Sequence, residues 1–273
     1  ISQKHANEKL EEKLKCVFRG RLYQYISQSF LTSRASAKPF GYGGDYMILQ
    51  QLYNREIISP TNIGKYYDRM FIDDPLSQAV INRVERMGAR LLEFIKDSTK
   101  KELHILNIAS GAGFEYRLLS DLDTDKKVII HCFDQEVYSL LYIKTKLENI
   151  NDNVEFRFYK EDIRTFFRKW NQAQKFDLVY NIGLADYLSD KILKALMQES
   201  VNALAPDGRF VIAHKDYTKF PYHYPAWTIN WNFIKRTPQD YMQFIEDNMS
   251  GFRQVDLFYE SNEEVVYFGD FLK

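Results

Sequence analysis

A short apolar run at 103–109 ends in Ser110-Gly111-Ala112-Gly113, and helical sequence resumes at Phe114. A buried strand that must turn within a few residues into a helix needs backbone freedom, which the two glycines supply. The same turn lets backbone approach a ligand closely, with the N–H groups of the helix start facing it. Few features constrain a chain more. A strand–glycine turn–helix unit demands a second strand beside the first, usually parallel to it.

The sequence that follows meets this demand. Apolar runs at 128–133, 154–159, 176–181 and 209–214 read as buried strands. Helical stretches are expected between them at 114–119, 137–147, 163–170 and 191–203. Two further β-like runs, 254–259 and 265–271, are joined by a short polar turn and predict an antiparallel hairpin. The expected fold is therefore α/β: a doubly wound, Rossmann-like, mostly parallel seven-stranded sheet with a C-terminal antiparallel hairpin.

Residues 1–100 read differently. Leu10, Leu14, Val17, Phe18, Leu22 and Tyr25 keep a helical period over 7–30. Lys38-Pro-Phe-Gly-Tyr-Gly-Gly-Asp45 marks a loop, and helix resumes from Asp45 to about Asn54. Asp74-Pro75 reads as a helix start, with Ala79, Val80, Val84, Met87, Leu91, Leu92 and Ile95 on one face of the helix after it. The chain divides on this reading into a helical N-terminal extension or lid, 1–100, and a ligand-binding α/β domain, 101–273.

The carboxyl ends of consecutive strands carry polar residues at telling positions. Asp134 ends the second strand about 20 residues beyond the glycines, where a carboxylate can accept hydrogen bonds from ribose hydroxyls. After the third strand, Asp162 can accept the exocyclic amine of adenine while Ile163 covers the ring. Each could also be an ordinary helix cap, but ligands of doubly wound sheets bind along this edge. Dinucleotide folds share the logic; here Tyr116 stands where their third glycine falls.

The fourth strand runs on as Phe176-Asp-Leu-Val-Tyr-Asn-Ile-Gly-Leu184, and Leu204-Ala-Pro-Asp-Gly-Arg-Phe-Val-Ile212 enters the fifth. In order and spacing, residues 103–213 resemble the class I methyltransferases that use S-adenosylmethionine (SAM). The resemblance implies SAM as cofactor, held by Ala109, Ser110, Gly111, Gly113, Asp134, Gln135, Asp162, Ile163, Asn181 and Gly183. Asn107 departs from the family, where many members carry an acidic residue. A narrower similarity links Pro39-Phe-Gly-Tyr-Gly-Gly-Asp-Tyr46, Ala79-Val-Ile-Asn-Arg83 and Trp231-Asn-Phe-Ile-Lys-Arg236 to a bacterial methyltransferase group. That group is associated with synthesis of 3-hydroxypalmitic acid methyl ester; Gly43 replaces its proline.

The implied activity is methyl transfer to a small, hydrophobic carboxylate or hydroxyl acceptor, resembling a fatty acid. The alternatives are a SAM-binding regulator without turnover and a nucleotide-dependent oxidoreductase. Methyl transfer rests mainly on proximity and orientation, with a base needed for some acceptors. His214 and Tyr187 are the candidate catalytic residues, with Asp186 beside them. Tyr42 and Tyr46 in the 38–46 loop and Tyr217 and Trp227 in the aromatic stretch 216–231 are candidates for a substrate wall or lid; that stretch could equally form a homodimer surface. Lys+Arg and Asp+Glu both number 37, so nucleic acid is not expected as a partner. Cys16 and Cys132 lack neighbours at metal-ligand spacing, so no metal is expected. Scattered thiols, no signal-like start and no apolar run of about 18 residues predict a cytoplasmic protein without a membrane span.

Overall fold

The computed structural model describes residues 2–147, 149–163, 165, 174–220, 223–249 and 251–273. Contacts divide it into two compact units. One comprises 1–78 with 220–233, the other 79–219 with 234–273.

The larger unit is built on one seven-stranded sheet. Its strands are β1 (Glu102–Ile108), β2 (Lys127–Asp134), β3 (Val154–Lys160), β4 (Phe176–Asn181), β5 (Leu204–Lys215), β6 (Arg253–Tyr259) and β7 (Val266–Leu272). They lie in the order β3-β2-β1-β4-β5-β7-β6. The first five are parallel, and β7 pairs antiparallel with both β5 and β6. All seven expected strands and the terminal hairpin are present.

Side chains alternate across the sheet, which separates two faces. Leu106, Ile108, Phe133, Val179, Phe210 and Ile212 are buried in a core with Leu193, Leu196 and Met197 and with Tyr241 and Ile245. The former trio comes from α7 (Asp190–Ala203) and the latter pair from α9 (Pro238–Asn248). Burying each such aliphatic side chain contributes about 1.5–3 kcal/mol. The opposite face carries Ile105, Asn107, Ile130, Cys132, Leu178 and Tyr180, all buried. Helix α5 (Pro75–Asp97) meets this unit closely: a Cβ on Gly88 would lie 2.7 Å from the Glu115 carbonyl oxygen. Arg90 and Arg209 both bond the fully buried Asp270 of β7.

Helices α6 (Val137–Leu147) and α7 fall where the sequence places them. The expected helix at 163–170 lies largely outside the described residues. Two local outcomes differ from expectation. Residues Phe114–Asp121 form a 3₁₀ helix. Adjacent Glu115 and Tyr116 both reach the buried side chain of Asn107, which favours the tighter winding. Helix α9 is additional; it is started by a capping box in which Thr237 and Asp240 satisfy each other's backbone N–H.

The smaller unit contains α1 (Ser2–Ile26), α2 (Phe30–Ala37), α3 (Tyr46–Asn54), α4 (Asn62–Asp73) and α8 (His223–Thr228). The helical period expected over 7–30 is broken at 27–29, because Ser29 caps α2 through the Thr32 N–H. Asp45 caps α3 through the N–H groups of Met47 and Ile48, as its position suggests. Helix α4 was not evident from apolar period; Thr61 caps it, and Asp68 on its inner side accepts from Ser29 Oγ, Leu31 N and Ser59 N. Gly43 and Gly44 of the 38–46 loop lie against the indole of Trp231, with a Cβ on Gly44 falling 2.5 Å from its Cζ2. No helix among the described residues is long and apolar enough to cross a membrane.

Gly64 in α4 allows the closest approach of all. A Cβ there would sit 2.2 Å from the Gln28 carbonyl oxygen and 2.8 Å from Ser59 Cβ. Backbone would have to move to admit it. Gly64→Ala is therefore expected to destabilise the protein by about 2–3 kcal/mol, despite the better helix propensity of alanine. Denaturant unfolding monitored by circular dichroism checks this; an unchanged midpoint would contradict the packing described.

Candidate functional site

In a sheet ordered β3-β2-β1-β4-β5, the connections leave β1 and β4 toward opposite sides. The crevice between their carboxyl ends is the place where such sheets hold ligands. Asn181 pins the two strand ends together. Its Nδ2 donates to the Ile108 carbonyl at 2.6 Å, and its Oδ1 accepts from Leu184 N.

The loop after β1 is wound tightly. Ala109, Gly111 and Gly113 all have left-handed backbone, with φ of 58°, 55° and 61°. For Ala109 this conformation costs about 1–2 kcal/mol, the kind of local strain that collects at ligand-binding loops. Gly113 is also packed hard. A Cβ on it would lie 2.6 Å from the Tyr116 ring and 2.9 Å from Ile143 Cγ1.

Asp134 ends β2 and reaches back to this loop. Its Oδ2 accepts the Gly111 N–H at 2.8 Å and its Oδ1 the Glu136 N–H at 2.8 Å. Burial pushes its pKa up to about 6, the backbone donors offsetting part of that rise. A carboxylate so placed retains lone pairs for further donors. Gln135 beside it is exposed. Asp162 and Ile163 follow β3 and are half-buried; the Glu161 N–H donates to the Asp134 carbonyl, which draws this segment against the end of β2.

Under the β1/β4 crevice lies a polar cluster. The strand register places Cys132, Asn107 and Tyr180 side by side across β2, β1 and β4. Asn107 Nδ2 donates to Glu115 Oε1 at 2.8 Å and to Tyr116 Oη at 2.7 Å. Tyr180 Oη donates to Glu115 Oε1 at 2.9 Å. Glu115 is 3% exposed. Burial raises its pKa, opposed by the donors from Tyr180 and Asn107 and by the charge of Arg83.

Arg83, on α5, is 6% exposed, and its Nη2 lies 3.3 Å from where a Cβ of Gly183 would be. It makes no hydrogen bond or ion pair among the described residues. Six buried side-chain polar atoms among those residues lack a hydrogen-bond partner. Arg83 Nε, Asn107 Oδ1 and Ser110 Oγ are three of them. Each such atom costs about 1–3 kcal/mol when unsatisfied, so three converging at one strand edge mark a place fitted to a polar ligand.

The fifth strand carries a different arrangement. His214 is 1% exposed; its Nδ1 faces the Lys215 carbonyl at 2.9 Å and its Nε2 faces Arg236 Nη1 at 3.1 Å. Nδ1 therefore donates to the carbonyl and Nε2 accepts from the guanidinium, which leaves neither nitrogen open to a substrate proton. Burial lowers its pKa although Asp186 lies 3.3 Å away. Asp186 is paired with Lys215 through Nζ and through the backbone N–H. Burial opposes ionisation of Asp186, yet Lys215 and His214 hold its pKa down to about 2. Tyr187 is half-buried, with Lys215 Nζ 5.8 Å from its ring centre.

The structure thus brings Ala109, Ser110, Gly111, Gly113, Asp134, Asn181 and Gly183 to one strand edge, with Asp162 and Ile163 further along it. Tyr217 follows β5 and is half-buried. Tyr42, Tyr46 and Trp227, all half-buried, belong to the smaller unit, where Trp227 packs edge-on against Phe18. Sequence reasoning passed over Arg83 and Glu115. Arg83 had a legible sign: it interrupts the apolar stripe of α5 between Val80, Val84 and Met87. Glu115 had none, because nothing local shows that a 3₁₀ turn buries it.

No protein-family model matches this sequence, and no curated protein matches it. Solved structures do resemble its fold. One is a protein from Bordetella parapertussis described as a possible exported protein, with TM-score 0.63 and 17% identity over 84% of this chain and 79% of that one. Another is the magnesium protoporphyrin IX methyltransferase of Synechocystis PCC 6803 with bound SAM, with TM-score 0.54 and 11% identity over 84% and 97%. A SAM-dependent methyltransferase from Leishmania major gives TM-score 0.53 and 16% identity over 84% and 82%. At such identities the likeness is one of fold, and the fold is the Rossmann-like methyltransferase fold.

Proposed function

We propose that the chain is a SAM-dependent methyltransferase whose cofactor lies across the carboxyl ends of β4, β1, β2 and β3. The observation that carries this reading is the convergence of the strained 109–113 loop, the Asp134 carboxylate and three unsatisfied buried polar atoms on the β1/β4 switch point. Methyltransferases of the same fold, one with SAM bound, support it.

The assignments follow from position. Asp134 accepts the ribose hydroxyls. Asp162 and Ile163 border the adenine, with exposed Gln135 at its rim. Gly111 and Gly113 let the backbone close on the ligand, and Ser110 Oγ gains a partner. Gly183 leaves room beside Arg83, while Asn181 fixes the strand ends rather than touching the ligand. Bound SAM supplies a methyl group on a positively charged sulfur, open to in-line attack by an acceptor. What the chain contributes is orientation and exclusion of water. His214, with both nitrogens engaged, acts as a positioning residue for Asp186 and Arg236. A small hydrophobic carboxylate suits a site whose candidate base, His214, has both nitrogens engaged, because a carboxylate nucleophile carries its own lone pair.

The ribose assignment predicts a pH dependence. Asp134 must be ionised to accept two hydroxyl donors, and its pKa is about 6 in the ligand-free protein. SAM affinity is therefore expected to be constant above pH 7 and to fall by up to about tenfold per unit below pH 6. Asp134→Asn should weaken binding at pH 7.5 by about 1.5–3 kcal/mol, roughly 10- to 100-fold, and flatten the pH profile. Calorimetry with SAM between pH 5 and 8 checks both. Binding of NAD(H) in place of SAM would overturn the reading. Turnover of labelled SAM over a panel of carboxylic-acid and hydroxyl acceptors separates an enzyme from a binding protein.

A further inference from the structure

We propose that Glu102, His104, His131 and Tyr159 form a pH-responsive relay across β1, β2 and β3. One proton added to the chain, with its charge on His104, reverses both hydrogen bonds of His131 and turns Tyr159 from a donor into an acceptor. The relay stands independently of what the ligand edge binds.

The strand register sets the chain up. His104 stands opposite Ile129, two residues before His131, and His131 stands opposite Arg157, two residues before Tyr159. Residues two apart in a strand share a face, so the three rings run diagonally over one face of the sheet. His104 Nε2 lies 3.1 Å from Glu102 Oε1, and His104 Nδ1 lies 3.1 Å from His131 Nε2. His131 Nδ1 lies 3.0 Å from Tyr159 Oη. His131 is 1% exposed, and Phe176 packs edge-on against its ring at 5.0 Å. Packing holds the rings in place while hydrogens move between them. Tyr159 stands two residues before Glu161, whose N–H donates to the Asp134 carbonyl. The relay therefore joins the exposed start of β1 to the strand ends.

Counting donors fixes the order of the bonds. A carboxylate only accepts, so neutral His104 carries its hydrogen on Nε2, toward Glu102. Its bare Nδ1 takes the Nε2 hydrogen of His131, and the bare Nδ1 of His131 takes the Tyr159 hydroxyl hydrogen. A charged His104 has hydrogens on both nitrogens, and its Nδ1 must donate. The Nε2 hydrogen of His131 has then crossed to His104, and Tyr159 has given its hydrogen to His131 Nδ1. The Tyr159 hydroxyl is reprotonated from outside, so the chain gains one proton and His131 stays neutral. Burial, and next the charge of His104, push the pKa of His131 down to about 3, which keeps the added charge off it. Among the described residues, the other charged groups around the chain are few. Lys127 lies between Glu102 and Glu155, and Arg157 pairs with Glu155. Asp177 accepts the His104 backbone N–H and pairs with Lys100.

Nitrogen-15 NMR of the full chain, labelled in histidine, reads which ring nitrogens carry hydrogen, because a bare nitrogen resonates far downfield of a protonated one. Spectra are taken between about pH 5 and 8, the range over which histidines as a class change charge. As pH falls, His104 should gain its second hydrogen. With the same midpoint, His131 should lose the hydrogen on Nε2 and gain one on Nδ1 while remaining neutral. In His104→Gln, which does not titrate, His131 should show one pattern throughout. A wild-type His131 that keeps its Nε2 hydrogen while His104 titrates overturns the relay, and so does a His131 that itself becomes charged. A His104 that stays neutral over the whole range overturns it as well. These wild-type spectra decide without any variant having to fold. A His131 that still switches in His104→Gln would show that its hydrogen answers to some other group, and would overturn the coupling.

Discussion

Asp186→Ala is expected to lower stability by about 3–5 kcal/mol, the cost of breaking a buried ion pair from one side. Asp186 and Lys215 are both at most 4% exposed. The carboxylate takes the Lys215 ammonium and the Lys215 backbone N–H, and His214 Nδ1 lies 3.3 Å away. Removing it deprives a buried ammonium of its counter-charge next to Arg83, so lysine must deprotonate or the strand end must open. The pH dependence has a definite sign. The pKa of Asp186 is depressed to about 2, so its contribution is complete above the unfolded value near 4 and is lost as pH falls through 2. Urea midpoints of wild type and variant at pH 7 and pH 2.5 test this. The gap should narrow at the lower pH, and a variant as stable as wild type at pH 7 would refute the pairing.

Gly113→Ala combines strain with a clash at the ligand loop. A left-handed alanine costs about 1–2 kcal/mol, and a methyl group 2.6 Å from the Tyr116 ring adds about 1–3 kcal/mol. Tyr116 cannot retreat freely, since its hydroxyl is held by Asn107 and Tyr180. The loop is the cheaper part to displace. We expect a loss of stability of about 2–4 kcal/mol and a fall in SAM affinity of about a hundredfold or more, because the Gly111 N–H leaves Asp134. Thermal unfolding with and without SAM separates the two effects. A variant that is destabilised but gains the full stabilisation from SAM would show that loop geometry does not set affinity.

The larger unit was readable in the sequence to the extent that its signals are local. Short apolar runs bounded by turn residues gave seven strands, and the glycines after β1 announced their turn, as Asp45 and Asp74 did in the smaller unit. Helices α2, α4 and α9 went unread because their starts depend on caps at Ser29, Thr61 and Thr237 more than on a clean apolar period. The proposed ligand edge was legible for the same reason as the strands: Asp134 and Asp162 stand at strand ends, and strand ends meet in a parallel sheet.

The glycine turn after β1 was determined by sequence alone, since two of its three left-handed positions are glycines and a side chain on Gly113 would run into Tyr116 and Ile143. Its partners were decided only by the tertiary structure. Whether His214 is open or engaged depends on Arg236, 22 residues away, and whether Glu115 is solvated or buried depends on Asn107 and Tyr180 on two different strands. Charge burial is a property of the packed chain. Sequence names the charged residues, and the fold decides which of them are buried.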